Sequence, residues 1–365
     1  MNSGIEVVYI VKSAPADIEA RTEGILLEQA VELPRSVLRD DFVLNHIVGS
    51  VRSIEALTTG EFRVTISHPE GTAGNDPAQL LNVLFGNTSL QPDVLLEDVR
   101  IPASLLQTLG GPRFGIAGIR QAVGVPTGPL TSTALKPMGL STDKLAAICH
   151  TFALAGIDLI KDDHGLADHA FSRFEDRVRA CVDATKRAAQ TTGRQSLYVP
   201  NLIGSPSRVL EQLRFAQKAG VGGVMISPML LGLPLLHEIV RNELTVPLLA
   251  HPSFGGALRI SPEALLGRLF RWFGADAVIY PNYGGRFTYS KETCARLAAL
   301  LRQSDDGLPP VLPVPAGGIK IERLSETIAF YGEDVMLLIG GSLYEAADDN
   351  ALLQRAKSFV AGARN

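Results

Sequence analysis

The stretch Gly156-Ile157-Asp158-Leu159-Ile160-Lys161-Asp162-Asp163-His164 passes from an apolar run straight into four consecutive ionisable side chains. The apolar part is typical of a short buried strand. A lysine, two carboxylates and an imidazole at the tip of a strand pack poorly, but they suit a divalent metal site or proton transfer. This stretch therefore predicts a strand whose end carries chemistry.

Similar apolar runs alternate with amphipathic helical stretches eight times between Leu130 and the C-terminus, which is the rhythm of a (β/α)8 TIM barrel. One such helix spans residues 208–219 and gathers its apolar side chains mostly on one face. The predicted strands are 130–135, 156–161, 196–201, 222–227, 247–251, 275–280, 311–315 and 335–339.

The first 125 residues predict a different unit, an α+β domain of the ferredoxin-like type. Its expected strands are 6–11, 46–57 and 62–68, and its expected helices are 18–31 and 77–85. The Gly/Pro-rich segment 124–129 resists regular structure, so we place a domain boundary there. The sequence thus predicts an N-terminal domain of residues 1–125 and a barrel domain of residues 126–365.

Composition narrows the function classes. The net charge of −4 and the lack of any Lys/Arg-rich segment argue against nucleic acid and anionic membranes as partners, and a small-molecule substrate is expected. The three cysteines, Cys149, Cys181 and Cys294, show no metal-ligand spacing and fit a reduced, cytoplasmic protein. We find no apolar run long enough for a membrane span and no signal peptide, so we expect no membrane association.

Active sites of such barrels form at the C-terminal ends of the strands, where this chain places mostly polar residues, glycine or proline. The residues concerned are Lys136, Lys161 to His164, Asn201, His251, the segment from Tyr280 to Arg286, Gly317-Gly318 and Gly340-Gly341. Glycine pairs let backbone N–H groups approach an anion, so the pairs on the last two strands predict a phosphate site, although a tight turn is the alternative.

The two lysines on the first two strands allow several states. A buried, neutral lysine is a good general base, whereas a lysine between carboxylates is usually an ammonium in a salt bridge. Lys161 could also add CO2 to form a carbamate, which with Asp163 would bind a hard cation. His251 is either a satisfied structural residue or a functional one, and its place at the barrel mouth favours function.

Taken together, these strand-end residues resemble those of the RuBisCO large chain, and more closely those of the non-carboxylating RuBisCO-like proteins (form IV). Lys136-Pro137 followed by Gly139-Leu140-Ser141 looks like the stretch that carries the family's enolising lysine. Residues 156–163 resemble the stretch of the carbamylated lysine and the metal-binding acids, and residues 96–102 form a further signature. The resemblance covers nearly the whole chain.

The resemblance implies roles residue by residue. Lys136 would be the base, and Lys161, Asp163 and His164 would hold a divalent metal, with Asp162 orienting them. His251 and Asn201 would contact the middle of the substrate. The phosphate would lie on Gly317, Gly318, Gly340 and Gly341, and Arg286, in the loop after the sixth strand, would also bind the substrate or its phosphate. Glu28 and Asn87 would enter the partner's site in a homodimer.

The positions at which this chain departs from RuBisCO also bear on the expected metal and substrate. His164 stands where RuBisCO has a glutamate, and imidazole suits softer metals than Mg2+, which weakens the case for magnesium and a lysine carbamate. Met138 replaces a second lysine, and the loop lysine of carboxylation is absent, with Arg286 the nearest cation. The donors of a second phosphate site correspond to Pro252, Tyr280 and Ala316, so a substrate with one phosphate is expected.

The resemblance therefore implies enolisation of a phosphorylated ketose or keto acid through a metal-stabilised enediolate, without CO2 fixation. The expected enzyme is a 5-methylthioribulose-1-phosphate isomerase or a related methionine-salvage enolase. Decarboxylation, transcarboxylation or hydrolysis of a 3-oxo sugar-acid phosphate of the 3-oxo-isoapionate 4-phosphate type is an alternative. A non-catalytic metabolite-binding protein is another, although such a protein has no need to keep Lys136, Lys161 and Asp163 together.

Overall fold

Two sheets organise residues 4–287, 289–304 and 307–364, the part of the chain that the computed structural model describes. One is a four-stranded antiparallel sheet near the N-terminus, and the other is a nine-stranded parallel sheet. This architecture confirms the predicted fold class of an α+β domain followed by a (β/α)8 barrel. None of the helices in the described ranges is long and apolar enough to cross a membrane.

The small sheet has the βαββαβ order of a ferredoxin-like domain, with one added helix. Its strands lie in the order β2-β3-β1-β4. Alternate residues of β1, including Val7, Tyr9 and Val11, are fully buried because a strand turns every second side chain to the same face. Its elements are β1 (Gly4–Lys12), α1 (Ile18–Ala30), α2 (Asp41–His46), β2 (Ser50–Thr58), β3 (Glu61–Pro69), α3 (Pro77–Phe85) and β4 (Val94–Arg100).

Two elements of this domain differ from the sequence prediction. The strand expected from residue 46 begins at Ser50, because Asp40 accepts a hydrogen bond from the backbone N–H of Val43 and starts α2 instead. Strand β4 was not predicted at all. Its alternation of apolar and polar residues is interrupted where it pairs with β1, since the register shifts between Val8 and Tyr9.

Helices α4 (Ala103–Leu109) and α5 (Gly115–Val123) connect the two sheets. Helix α5 packs Ile116, Ile119 and Val123 into the same apolar cluster as Leu130 and Leu159 of the barrel strands. It therefore covers the end of the barrel opposite the candidate site. The domain boundary near residue 125 stays a prediction.

The barrel follows the predicted alternation of strands and helices. Its elements are β5 (Leu130–Leu135), α6 (Thr142–Leu154), β6 (Leu159–Asp162), α7 (Phe174–Thr192), β7 (Leu197–Val199), β8 (Asn201–Leu202), α8 (Pro206–Ala219), β9 (Val224–Ile226), α9 (Pro228–Leu231), α10 (Leu233–Asn242), β10 (Leu248–Ala250), α11 (Phe270–Trp272), β11 (Ala277–Pro281), α12 (Lys291–Arg302), β12 (Leu312–Ala316), α13 (Leu324–Tyr331), β13 (Met336–Leu338) and α14 (Asp349–Arg364).

The barrel closes through a strand that the sequence predicts as one piece, residues 196–201. In the structure Pro200 divides it into β7, which pairs with β6, and β8, which pairs with β9. Proline has no backbone N–H to contribute to a ladder, which accounts for the break. The strand order β7-β6-β5-β13-β12-β11-β10-β9-β8 thus represents eight strand positions around a closed sheet.

Candidate active site

The side-chain alternation of the barrel strands decides which residues enter the site. Leu130, Leu159, Leu249, Leu312 and Met336 lie in the interior cluster. Counting by twos from these positions leads to the strand ends, because successive side chains point to opposite faces. The residues reached in this way are Lys136, Lys161, Asp163, His251, Ala316 and Gly340.

The ends of β5, β6 and β10 meet in one ionic and aromatic cluster. The Nζ atom of Lys136 lies 2.7 Å from Oδ1 of Asp163, and Nδ1 of His164 lies 3.5 Å from the same oxygen. The His164 ring stacks on the His251 ring with centroids 4.5 Å apart. The structure therefore brings four of the predicted site residues together across the barrel mouth.

Lys161 lies beneath this cluster and is nearly inaccessible. Its Nζ donates to the backbone carbonyl of Asp162 at 3.0 Å. Burial lowers the pKa of Lys161 to about 8, Asp163 and Asp162 raise it, and the nearby charge of Lys136 lowers it further. Lys161 thus loses its proton more readily than an ordinary lysine.

The Asp163 carboxyl is the negative centre of the cluster. Burial raises its pKa, but hydrogen bonds from His164 and Lys136, together with the charges of Lys136 and Lys161, outweigh burial and hold the pKa well below its usual range. Asp163 is therefore a carboxylate at every pH at which the fold is expected to persist.

His251 is a neutral imidazole. Burial, followed by the charges of Lys161 and His164, lowers its pKa to about 2. The backbone N–H of Ser253 donates to Nδ1 at 3.2 Å, and the Ser253 hydroxyl lies 2.9 Å from the same atom. Since Nδ1 accepts, the proton belongs on Nε2, which leaves an N–H donor for a substrate oxygen.

Asp162 faces the other side of the sheet. Its carboxylate accepts from Arg177 Nε at 3.0 Å and from the Tyr198 hydroxyl at 2.8 Å, and both charged side chains are fully buried. The backbone N–H of Asn201 also donates to Asp162, at 3.2 Å. Asp162 therefore connects the ends of β6, β7 and β8 on the outer face of the sheet, and its orienting role in the site stays a prediction.

Asn201 occupies the predicted strand end, but its amide holds the loop after β6. Its Nδ2 donates to the backbone carbonyls of His164 and Leu166, at 2.9 and 3.0 Å. This contact sets the path of the segment that carries His164. The predicted contact of Asn201 with substrate stays a prediction.

Tyr344 is a site residue that the sequence reasoning missed. Its hydroxyl accepts from the backbone N–H of Lys136 at 2.9 Å and donates to the carbonyl of Ala134 at 2.8 Å. Burial raises the pKa of Tyr344 above its usual value, so the hydroxyl keeps its proton. It ties the end of β5 to the segment after β13. A lone tyrosine five residues before the start of α14 belongs to no motif that predicts this contact.

The glycine pairs follow β12 and β13, the two strand positions next to β5 on the side away from β6. Gly317 and Gly318 have φ of 83° and 74°, which an L side chain rarely adopts. A Cβ on Gly318 would lie 2.6 Å from Gly285 Cα, so the loop after β11 packs directly on the loop after β12. A Cβ on Gly340 would lie 3.8 Å from Lys136 Cε, which places one glycine loop beside the lysine.

The two residues expected to act in trans lie together on the N-terminal domain. Asn87 Nδ2 donates to Glu28 Oε1 at 3.0 Å. Gln29 holds the segment around them, because its Nε2 donates to the carbonyl of Val83 at 2.9 Å and its Oε1 accepts from the backbone N–H of Thr88 at 3.1 Å. The pair is thus preformed on the protein surface.

Comparison with known proteins identifies the family of this chain. The family model for the ribulose bisphosphate carboxylase large chain, catalytic domain, matches residues 115–258. The chain is 47% identical to ribulose bisphosphate carboxylase-like protein 1 of Rhodopseudomonas palustris, over 99% of this chain and 98% of that protein. The chain belongs to the RuBisCO large-chain family.

Two further relatives place it among the RuBisCO-like proteins. It is 44% identical to the 5-methylthioribulose-1-phosphate isomerase of Rhodospirillum rubrum, over 99% of this chain and 96% of that protein. The crystal structure of a Rubisco-like protein from Rhodopseudomonas palustris superposes with a TM-score of 0.92 at 42% identity, and covers 100% of this chain and 98% of that one.

The positions where this RuBisCO-like chain departs from RuBisCO are mostly apolar in the structure. Pro252 and Ala316 offer no side-chain donor, and Tyr280 is fully buried against Tyr331 on the outer face of the sheet. Met138 is exposed beside the site: a Cβ on Gly165 would lie 3.7 Å from both Met138 Sδ and Asp163 Oδ2. These surroundings suit the expected substrate with a single phosphate.

Arg286 lies in the loop after β11 and is exposed. Its guanidinium carbon is 5.9 Å from the centre of the Phe287 ring. Within the described ranges no hydrogen bond or ion pair joins Arg286 to the lysine and carboxylate cluster. A role for Arg286 toward substrate stays a prediction.

The donor set for a metal has two side chains, Asp163 and His164. Among the described residues, no group of three His, Cys, Asp or Glu side chains is close enough to hold a metal ion. A carbamate on Lys161 would supply a third, oxygen ligand, and the partly neutral amine of Lys161 is the form that reacts with CO2. The residues therefore fit a divalent metal if Lys161 is carbamylated.

Proposed function

We propose that this RuBisCO-like protein enolises a phosphorylated ketose, with 5-methylthioribulose 1-phosphate as the substrate and isomerisation as the outcome. The observation that carries the proposal is the pairing of Lys136 with Asp163 at 2.7 Å, beside buried Lys161 and neutral His251. The 44% identity to a protein of this activity, spanning almost the full length of both chains, supports the choice of substrate.

Lys136 is the base in this proposal. In the resting structure its ammonium is held by Asp163, so it must lose its proton before it can accept one from carbon. The neutral Nζ then takes the proton from the carbon next to the ketone, and Asp163 stabilises the ammonium that forms. An isomerase returns that proton to another carbon of the enediol, whereas an enolase releases the enol.

The developing negative charge lies on the substrate oxygens. His251 donates from Nε2 to one of them, and it remains neutral because its pKa is far below the working range. Asp163, His164 and carbamylated Lys161 would hold a divalent metal, which supplies electrostatic stabilisation of an enediolate when bound. Softer metals than Mg2+ become acceptable because one ligand is an imidazole.

The glycine loops would hold the phosphate. Gly340 lies beside Lys136, so a phosphate on the last loops places the adjacent carbons within reach of Nζ. Glu28 and Asn87 of a second copy would complete the site, which makes a homodimer the active form. Their preformed hydrogen bond lets them enter the partner's site with little loss of side-chain freedom.

The test is incubation of the purified protein with 5-methylthioribulose 1-phosphate, and separately with a 3-oxo sugar-acid phosphate, in D2O with divalent metal and bicarbonate. Phosphorus NMR follows products, and proton NMR follows deuterium entry at the carbon next to the ketone. We expect exchange and turnover with the ketose phosphate. Turnover of the acid alone would replace the proposal with a decarboxylase, and binding without exchange of either compound would indicate a metabolite-binding protein.

A further inference from the structure

We propose that Phe254 recognises the apolar, non-phosphorylated end of the substrate. This inference rests on the enolising function proposed above, and it names the group that the same site selects. Phe254 belongs to the loop after β10, three residues beyond His251. No predicted site residue lies in this loop after His251.

The backbone of Phe254 is strained. Its φ of 68° and ψ of −3° are left-handed, a conformation that bulky L residues rarely adopt. The backbone N–H of Gly255 donates to the carbonyl of Pro252 at 2.9 Å, which makes Phe254 the third residue of a tight turn. Glycine is the usual residue at that place in a turn of this shape. Here the glycines follow at 255 and 256 instead.

Burial of the ring does not compensate for the strain, since Phe254 is 63% exposed. A strained, bulky and exposed residue gains nothing for the stability of the fold that glycine would not supply better. Strain of this kind is concentrated at binding and catalytic sites, where the side chain has a role that offsets its cost. The ring therefore has a role outside folding.

The position of the loop identifies that role. In the order of the closed sheet, β10 lies four strand positions from β5 in both directions, so the two strands face each other across the mouth. The loop is tied to the site because the Ser253 hydroxyl lies 2.9 Å from His251 Nδ1, and His251 stacks on His164. Phe254 thus lies at the rim opposite Lys136.

A substrate that places its phosphate on the glycine loop beside Lys136 extends across the mouth toward this rim. Pro252, in the same loop, offers no side-chain donor, and the Ser253 hydroxyl is already engaged with His251 Nδ1, so a polar group that arrives beside Phe254 finds few hydrogen-bond partners. An alkyl or thioether tail loses water without loss of hydrogen bonds, and an aromatic ring is a suitable contact for it. Phe254 accordingly selects substrates with an apolar tail.

The experiment compares kcat/KM for 5-methylthioribulose 1-phosphate and ribulose 1-phosphate, which has a hydroxyl in place of the thioether. We expect the wild-type protein to favour the thioether by at least about tenfold. Phe254→Gly should reduce that ratio by about tenfold while the melting temperature rises, because the turn strain is relieved. Phe254→Leu should keep the ratio within about threefold of wild type. A purely structural residue would not lose selectivity while gaining stability.

The matched control is Phe42→Ala, since Phe42 has the same 63% exposure on α2 of the N-terminal domain. Its selectivity ratio should equal that of the wild type. The inference is overturned if Phe254→Gly keeps the wild-type ratio, if it halves the particle mass in light scattering, or if the wild-type protein exchanges the proton of both substrates equally well. Lack of exchange with either substrate would instead contradict the proposed function.

Discussion

The two faces of β6 use consecutive carboxylates in opposite ways. Asp162 points away from the barrel interior, where Arg177 and Tyr198 enclose it and no solvent reaches it. Asp163 points into the mouth, where it pairs with Lys136 and remains partly exposed. Strand alternation therefore separates the two carboxylates: Asp162 stabilises the fold on the outer face, and Asp163 lies in the candidate site.

The largest effect is expected from removing Lys136, the proposed general base on the inner face. Lys136→Ala should lower kcat for 5-methylthioribulose 1-phosphate by about 10³-fold or more, because the amine that takes the proton from carbon is removed. Deuterium exchange at that carbon should fall in parallel. The control is Lys144→Ala on α6, an exposed lysine outside the site, which should keep full turnover. Full activity of Lys136→Ala would show that another group is the base.

Replacing each carboxylate with an amide should affect the free energy of unfolding differently on the two faces. Asp162→Asn should lower the free energy of unfolding by about 3 to 5 kcal/mol, since it leaves Arg177 buried without a counter-charge. Asp163→Asn should lower it by less than Asp162→Asn, because its partner Lys136 is partly exposed and remains solvated. Urea denaturation followed by circular dichroism measures both. Equal losses in the two variants would refute the division of roles.

Lys161, on the inner face, should make the stability of the fold depend on pH. Its pKa is lowered from 10.5 to about 8, so the unfolded chain binds more protons than the folded protein between these values. Stability from this residue is therefore absent below pH 8 and rises toward pH 10.5. In CO2-free buffer, Lys161→Met should remove that rise, a difference of about 2 to 3 kcal/mol. Lys144→Met should retain it, and identical pH profiles for wild type and Lys161→Met would contradict the burial of a titrating amine.

Much of this arrangement could be predicted from the sequence, because each short buried strand is an apolar run that ends where polar residues follow. Residues 157–164 and the glycine pairs were readable for that reason, and alternation then assigns Lys161 and Asp163 to one face. The comparisons confirm the family, whereas the metal, the carbamate and the individual roles of the site residues stay predictions.

Other features could not be read from the sequence, because no motif or spacing predicts the contact. Tyr344 contacts Lys136 across 208 residues, and only the closure of the barrel brings this pair together. Arg177 contacts Asp162 from the next helix, but a single arginine or tyrosine has no spacing that predicts its partner. Phe254 was missed for a different reason, since backbone strain has no sequence signature when glycine stands one position later.

The smallest effect is expected at Tyr344, whose hydroxyl holds the backbone at the end of β5 next to Lys136. Tyr344→Phe removes the hydroxyl that accepts from the Lys136 backbone N–H and leaves that donor without its partner, so stability should fall by about 1 to 2 kcal/mol. Because the end of β5 then loosens, kcat should fall several-fold with little change in KM. Tyr9→Phe removes another buried hydroxyl, which donates from β1 of the small sheet to the Leu84 carbonyl of α3, and should cost similar stability while kcat is kept. If both variants lose kcat equally, the effect of Tyr344 comes from general destabilisation rather than from the position of Lys136.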